Sequence, residues 1–273
     1  MDRGDEPGSD GAMMRSRSMQ SSERPHVLVI AGSDSSGGAG LVRDVQVIST
    51  FGARASCAIT SVTAQTDIHV DAVCRLSPEM VRRQIKTALS LGSVHAIKIG
   101  MLGTGAIVRA VVEALPDRAR VPIVLDPVLS SSSGAALLDQ EGVALLRDEL
   151  IPRSTLVTPN LIEAAVLLGR ETTRDLEQTK LAQELLRFGP EYVFLKGGHA
   201  RSSDALDVLA SRAGAPVSLR AKRLNASMRG TGCALSSAIA ASLAAGASVE
   251  AACRQAKVFV HEQLSEQSSE GAT

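Results

Sequence analysis

Short apolar runs alternate with longer stretches of helical period from about residue 26 to residue 262. Six runs predict strands, at 27–31, 55–59, 96–99, 123–125, 156–157 and 192–195. Each is almost continuously apolar, as a strand covered on both faces must be. Between them, 77–91 has Ser77 to cap it, Pro78 at the first helical position, one apolar side and Gly92 as a stop. A second helix at 104–115 repeats the design, with Ile107, Val108, Val111, Val112 and Leu115 on one face and Pro116 beyond. The segment 234–245 is almost wholly Ala, Ser, Leu and Ile, small or apolar all round, which predicts a buried central helix. An amphipathic helix at 248–262 follows as a last cover, and 204–209 with 217–221 predicts an antiparallel hairpin at a sheet edge. This alternation is that of βαβ units. The expected fold class is α/β, one three-layer α/β/α domain with a central, mostly parallel sheet.

Both ends of the 273-residue chain fall outside this pattern. Residues 1–25 are rich in Ser, Arg, Gly and Asp and bury too little surface to order, so a disordered tail is expected, and 263–273 is expected to be a frayed polar end. Arg and Ser in the first tail suggest a transit peptide, but Asp2, Asp5, Glu6 and Asp10 argue against one. Lys and Arg number 29, as do Asp and Glu, and the aromatic residues are one Tyr and four Phe. That balance offers nucleic acid neither a basic footprint nor stacking platforms. No apolar run reaches the length of a membrane span and no apolar core marks a signal peptide, so no membrane partner and a cytoplasmic location are expected. Cys57, Cys74, Cys233 and Cys253 form no Cys-x-x-Cys pair, which fits reduced thiols.

What each predicted strand runs into is chemically richer. The first opens into Gly32-Ser33-Asp34-Ser35-Ser36-Gly37-Gly38-Ala39-Gly40, the second leads to Thr63-Ala64-Gln65, and the third to Gly100-Met101. The others lead to Asp126-Pro127, Thr158-Pro159-Asn160 and Lys196-Gly197-Gly198-His199. Open α/β sheets bind ligands at the carboxyl ends of their strands, so one elongated site along that edge is expected. Gly230-Thr231-Gly232-Cys233 stands immediately before the small-residue helix. A helix start presents unpaired N–H groups and about half a positive charge, which suits a phosphate or transferring phosphoryl group. The same glycines also suit an ordinary loop. Cys233, at the same start, is either a dipole-favoured thiolate, acting as base or nucleophile, or a core filler. No Walker A loop is present, and the Gly32–Gly40 run lacks the dinucleotide-binding register, so any nucleotide is held another way. Asn160 and Glu163, three apart at a helix start, face one side and with Asp126 suit a water-clad magnesium ion. Plainer roles are a cap for Asn160 and a dipole partner for Glu163. Lys196 is a costly buried charge unless it meets an anion, while His95 and His199 read as structural.

Together with Lys98-Ile99-Gly100-Met101-Leu102 and Leu125-Asp126-Pro127-Val128, these motifs occur in an order that resembles the hydroxymethylpyrimidine and phosphomethylpyrimidine kinases of thiamine biosynthesis. Those enzymes are members of the ribokinase-like superfamily, and the resemblance covers about residues 26–262. It implies a ribokinase-like sheet of about eight or nine strands, a homodimer, and ATP-dependent phosphorylation of 4-amino-5-hydroxymethyl-2-methylpyrimidine and then of its monophosphate. By this resemblance Gln65 meets the aminopyrimidine edge and Gly32, Asp44 and Met101 shape that pocket. Gly230, Thr231 and Gly232 cradle the moving phosphoryl group, with Cys233 as base. Lys196 and Asn160 serve ATP, and Asp126 and Glu163 position Mg2+. Departures from the family pattern are Ser35 for Pro, Thr66-Asp67-Ile68-His69 for Asn-Thr-x-Gly, Ser132 for a basic residue, and Met228-Arg229 for Thr-His. The first two lie beside the implied pocket, and Ser132 and Arg229 bear on the second phosphorylation. Rival readings are a pyridoxal kinase of the same superfamily and a catalytically reduced pyrimidine sensor; Gln65 favours the aminopyrimidine, whose ring nitrogen and amino group an amide can serve together.

Overall fold

A computed structural model describes residues 24–66, 69–131, 134–171, 177–197, 204–224 and 228–270. The expected tail through residue 23, Ser132 and His199 lie outside the described residues. In chain order the principal elements are β1 (His26–Asp34), α1 (Gly40–Thr50), β2 (Arg54–Gln65), β3 (Val70–Arg75), α2 (Pro78–Ser90), β4 (Ala96–Ile99), α3 (Gly105–Ala114) and β5 (Ile123–Leu125). They continue as α4 (Gln140–Leu145), β6 (Leu156–Val157), α5 (Leu161–Leu167), α6 (Gln178–Leu185), β7 (Tyr192–Leu195), β8 (Asp204–Ser211), β9 (Val217–Lys222), α7 (Thr231–Ala244) and α8 (Val249–Glu270). One sheet carries all nine strands in the order β3-β2-β1-β4-β5-β6-β7-β8-β9. The run from β2 to β7 is parallel, and these are the six strands the apolar runs predict. β3 on one edge and the β8–β9 hairpin on the other are antiparallel.

Period-two alternation makes the three layers. In β1, Leu28 and Ile30 join the core under α2, α3 and α6, whereas Val27, Val29 and Ala31 join the core under α1, α7 and α8. β4 obeys the same parity. Ile97 and Ile99 enter the first core, which turns Lys98, fully buried, toward α1 and α7. The capping that the sequence predicts is present: Ser77 accepts from Met80 N and Thr104 from Ile107 N, each at 3.3 Å. α7 is buried from Ala234 through Ser242. α8 corrects the expectation of a frayed end at 263, because it stays helical to Glu270. Leu264 packs on the second core and Gln263 accepts a hydrogen bond from Arg43, contacts that hold this stretch against α1.

Candidate active site

Strand order reverses at β1, whose neighbours are β2 on one side and β4 on the other. The connections therefore leave the sheet in opposite directions there and open a crevice beyond the carboxyl ends. A cavity of about 620 Å³ occupies it. Gly32, Gln65, Met101, Asp126, Asn160, Glu163, Lys196, Gly230, Thr231, Gly232 and Cys233 all line it. Asp44 does not. It is fully buried below the floor, one carboxylate oxygen taken by Lys98 Nζ at 2.7 Å and the other by Ser237 Oγ at 2.8 Å. The expected pocket contact is thus corrected to an anchor for Lys98, which itself lines the cavity. Lys98 was not singled out from sequence; strand parity is the signal that finds it.

Glycines close the site where no side chain fits. Gly230, at φ 72° before α7, has its missing Cβ only 2.2 Å from the carbonyl oxygen of Gly38. Gly40, at φ 59°, stands in the same relation to the carbonyl oxygen of Gly32. The loop after β1 and the turn before α7 therefore touch backbone to backbone. No side chain caps α7, so its first N–H groups face the cavity mouth without a side-chain acceptor of their own. A Cβ on Gly232 would come 3.2 Å from Lys196 Nζ and 3.4 Å from Asp126 Oδ2, so glycine keeps the path between them open.

Charge is concentrated beside that turn. Lys196 Nζ donates to Asp126 Oδ1 at 2.9 Å and lies 3.9 Å from Glu163 Oε2. Asp126 also accepts from Thr158 Oγ1 at 3.3 Å and from Ser236 Oγ at 3.4 Å. Burial works against its charge, but Lys196 and Lys98 outweigh burial and hold the carboxyl below its ordinary value. Glu163 goes the other way: burial, with Asp126 nearby, pushes it up to about 7 against the pull of Lys196. Asn160 and Glu163 form a capping box on α5, Asn160 N donating to Glu163 Oε2 at 2.7 Å and Glu163 N to Asn160 Oδ1 at 2.8 Å. The plain roles of these two residues are therefore real, and both still face the cavity. Burial also pushes the Cys233 thiol up to about 11, with Lys98 opposing it. Burial outweighs the pull of Lys98, and the resting side chain is a thiol.

At the other end, Thr63 Oγ1 lies 3.2 Å from both Gln65 Oε1 and the Ser33 carbonyl oxygen and shares its one proton between them. Ser35 clasps the backbone of Gln65, accepting from its N–H at 2.8 Å and donating to its carbonyl at 3.0 Å. A proline could not do this. A smaller cavity of about 190 Å³ continues the site past Lys196, Thr231 and Gly232 toward the β8–β9 hairpin and α8, sharing Leu264 with the first.

A parallel sheet with this crevice, a glycine-started buried helix and a paired lysine is the arrangement of the ribokinase-like small-molecule kinases, to which the solved neighbours belong. The family model described as phosphomethylpyrimidine kinase matches residues 34–273, and the chain belongs to that family. It is 40% identical over 237 residues to the hydroxymethylpyrimidine/phosphomethylpyrimidine kinase of Streptomyces coelicolor, covering 86% of this chain and 87% of that protein. The structure of phosphomethylpyrimidine kinase from Clostridium difficile superposes with a TM-score of 0.76 at 33% identity, over 88% of this chain and 99% of that one. An ADP complex of Bacillus subtilis pyridoxal kinase gives a TM-score of 0.80 at 30% identity, over 86% and 90%. The chain spans 44% of the length of a rice relative named a probable thiamine biosynthetic bifunctional enzyme, to which it is 40% identical.

Proposed function

We propose that this protein transfers the γ-phosphoryl group of ATP to the hydroxymethyl group of 4-amino-5-hydroxymethyl-2-methylpyrimidine, and then to the resulting monophosphate. The observation that carries the reading is one cavity joining an orienting amide, Gln65, to an uncapped glycine-started helix with Lys196 and Asp126 beside it. In the first step the acceptor hydroxyl oxygen bonds to the γ-phosphorus, the bond to the ADP oxygen breaks, and the hydroxyl proton leaves. Gly230, Thr231 and Gly232 present backbone N–H groups to the moving phosphoryl group, and Lys196, with Asn160 beside it, meets the donor phosphates. Cys233 is the base in this reading, and only its thiolate can take the proton, so the thiol, pushed up to about 11, first gives its own proton to solvent. Phosphoryl transfer rests mostly on positioning and charge stabilisation, so a scarce thiolate still suffices for a base of secondary weight. Gly32 and Met101 bound the pyrimidine face, and the smaller cavity suits the nucleoside of the donor.

Asp126 and Glu163 are two carboxylates with an ammonium between them, and among the described residues no group of three or more His, Cys, Asp or Glu could hold an ion alone. That donor set fits Mg2+ arriving on the triphosphate with most of its water. Bound there, the ion neutralises charge on the phosphates. We further propose a cytoplasmic homodimer with the kinase unit over 26–262, its mass measurable by light scattering; no helix among the described residues is long and apolar enough to cross a membrane.

The likeness to pyridoxal kinase favours a second reading, phosphorylation of pyridoxal. A coupled assay with ATP and magnesium, offering the pyrimidine alcohol, its monophosphate and pyridoxal side by side, decides. Turnover of both pyrimidines is expected; turnover of pyridoxal alone overturns the assignment, and no turnover of any of them favours a sensor.

A further inference from the structure

Among the described residues, the side chains lining the main cavity that carry a fixed positive charge are Lys98, Lys196 and Arg229. Each of the three is paired with a carboxylate. Lys98 is neutralised by Asp44 beneath the floor, and Lys196 by Asp126 on the donor side. Arg229 stands across the acceptor end, one residue before the Gly230 turn. Its Nη2 lies 2.8 Å from Asp34 Oδ2, and its Nη1 donates to Ser36 Oγ at 2.8 Å and to the Thr66 carbonyl at 3.0 Å. The guanidinium thus bridges the loops after β1 and β2 with only 14% of its side chain exposed.

Asp34 does not depend on this partner. Its Oδ1 accepts from Ser36 N and Ser36 Oγ, and its Oδ2 from Ala39 N, all at 3.0 Å. A guanidinium that left Asp34 would leave a carboxylate still held by three donors. The exchange keeps the guanidinium paired with an anion and leaves Asp34 with those three donors.

We propose that Arg229 is the specificity-determining residue for a phosphorylated acceptor: its guanidinium turns from Asp34 to the acceptor's phosphate, and the exchange sets the preference for monophosphate over alcohol. The proposal rests on the two-step reading of the site. The alcohol is neutral, and the cavity is already balanced for it. The monophosphate adds about 1.5 to 2 negative charges near neutral pH, and one of its oxygens must reach the Gly230 turn to act as nucleophile. The oxygen bonds to the γ-phosphorus, the bond to the ADP oxygen breaks, and a diphosphate forms. The dianion's attacking oxygen has no proton to lose, so this step needs a cation more than a base. A guanidinium matches phosphate with two parallel hydrogen bonds, which an ammonium or imidazole cannot.

The test is steady-state kinetics of the full chain on both pyrimidines, comparing wild type with R229Q and R229K. With R229Q the ratio of kcat/KM for monophosphate to that for alcohol is expected to fall about 10- to 100-fold, the worth of hydrogen bonds to a charged group, and mainly through KM. R229K, which keeps the charge but not the two-pronged geometry, is expected to fall between them, and it carries the comparison if R229Q does not fold. An equal loss on both substrates, or none, overturns the proposal and leaves Arg229 a strap between loops. Should wild type phosphorylate only the alcohol, the two-step reading fails on its own; calorimetric titration of the monophosphate then decides, weaker binding by R229Q supporting the exchange and equal binding overturning it.

Discussion

Glu163 and Lys98 carry the sharpest consequences at the scale of single residues. Glu163, held up to about 7 first by burial, is protonated below that pH and charged above it. In the proposed role beside Mg2+ only the charged form serves, so kcat/KM, which reports the free enzyme, is expected to rise with pH through about 7. E163Q should lower kcat/KM by about 100-fold and abolish this limb, as a pH series on both proteins will read. Lys98 and Asp44 form a fully buried pair, at 1% and 0% side-chain exposure. K98M leaves the Asp44 charge alone in the core and is expected to cost about 3–5 kcal/mol in urea denaturation, whereas K98M/D44L recovers most of it. The family resemblance alone implies a place for Asp44 in the acceptor pocket. The structure puts it beneath, since α1 faces the parity side of β4 on which Lys98 points. A single lysine in an apolar run of four declares a buried partner, but not which one.

Elements were legible to the extent that their burial is two-sided. The six parallel strands are near-continuous apolar runs and can be read directly, and α7, small on every side, announces a helix wedged between sheet and cover. β3 was not legible. Its sequence Val-Asp-Ala-Val-Cys-Arg is largely exposed, and what makes it a strand is the antiparallel partner β2 supplies. Glycines before a helix are equally ambiguous in sequence, because loop and anion hole ask for the same residue. At Gly230 the geometry shows why the residue is glycine, since its positive φ and backbone contact with Gly38 leave no space for a methyl group. G230A is therefore expected to lose activity by at least about 100-fold while keeping its helical circular dichroism, a loss on the scale of one removed oxyanion-hole donor.

The whole molecule is a sheet whose ligand edge is finished by its last helix. Leu264 reaches both cavities from α8, in a stretch whose polar composition predicts a frayed end. Three apolar positions, Ala256, Val260 and Leu264, at spacings of four, continue the buried stripe, and that periodicity outlasts the change in composition. Removing 263–273 is expected to lower the melting temperature by a few degrees, about 1 kcal/mol for one partly buried leucine, and to raise the KM for ATP severalfold. Calorimetry and nucleotide titration measure the two effects.

The backbone contact between Gly38 and Gly230 has a thermodynamic consequence. On the proposed reading the loop covers one substrate and the turn holds the group transferred from the other, and the two cannot shift independently when no methyl-sized gap separates them. Occupancy of either half then pre-orders its neighbour. Linkage makes such an effect reciprocal: whatever factor the pyrimidine adds to the affinity for a non-hydrolysable ATP analogue, the analogue adds to the affinity for the pyrimidine, typically about 5- to 150-fold. Paired titrations in both orders of addition should close to the same factor, and idle hydrolysis of ATP without acceptor should be correspondingly slow.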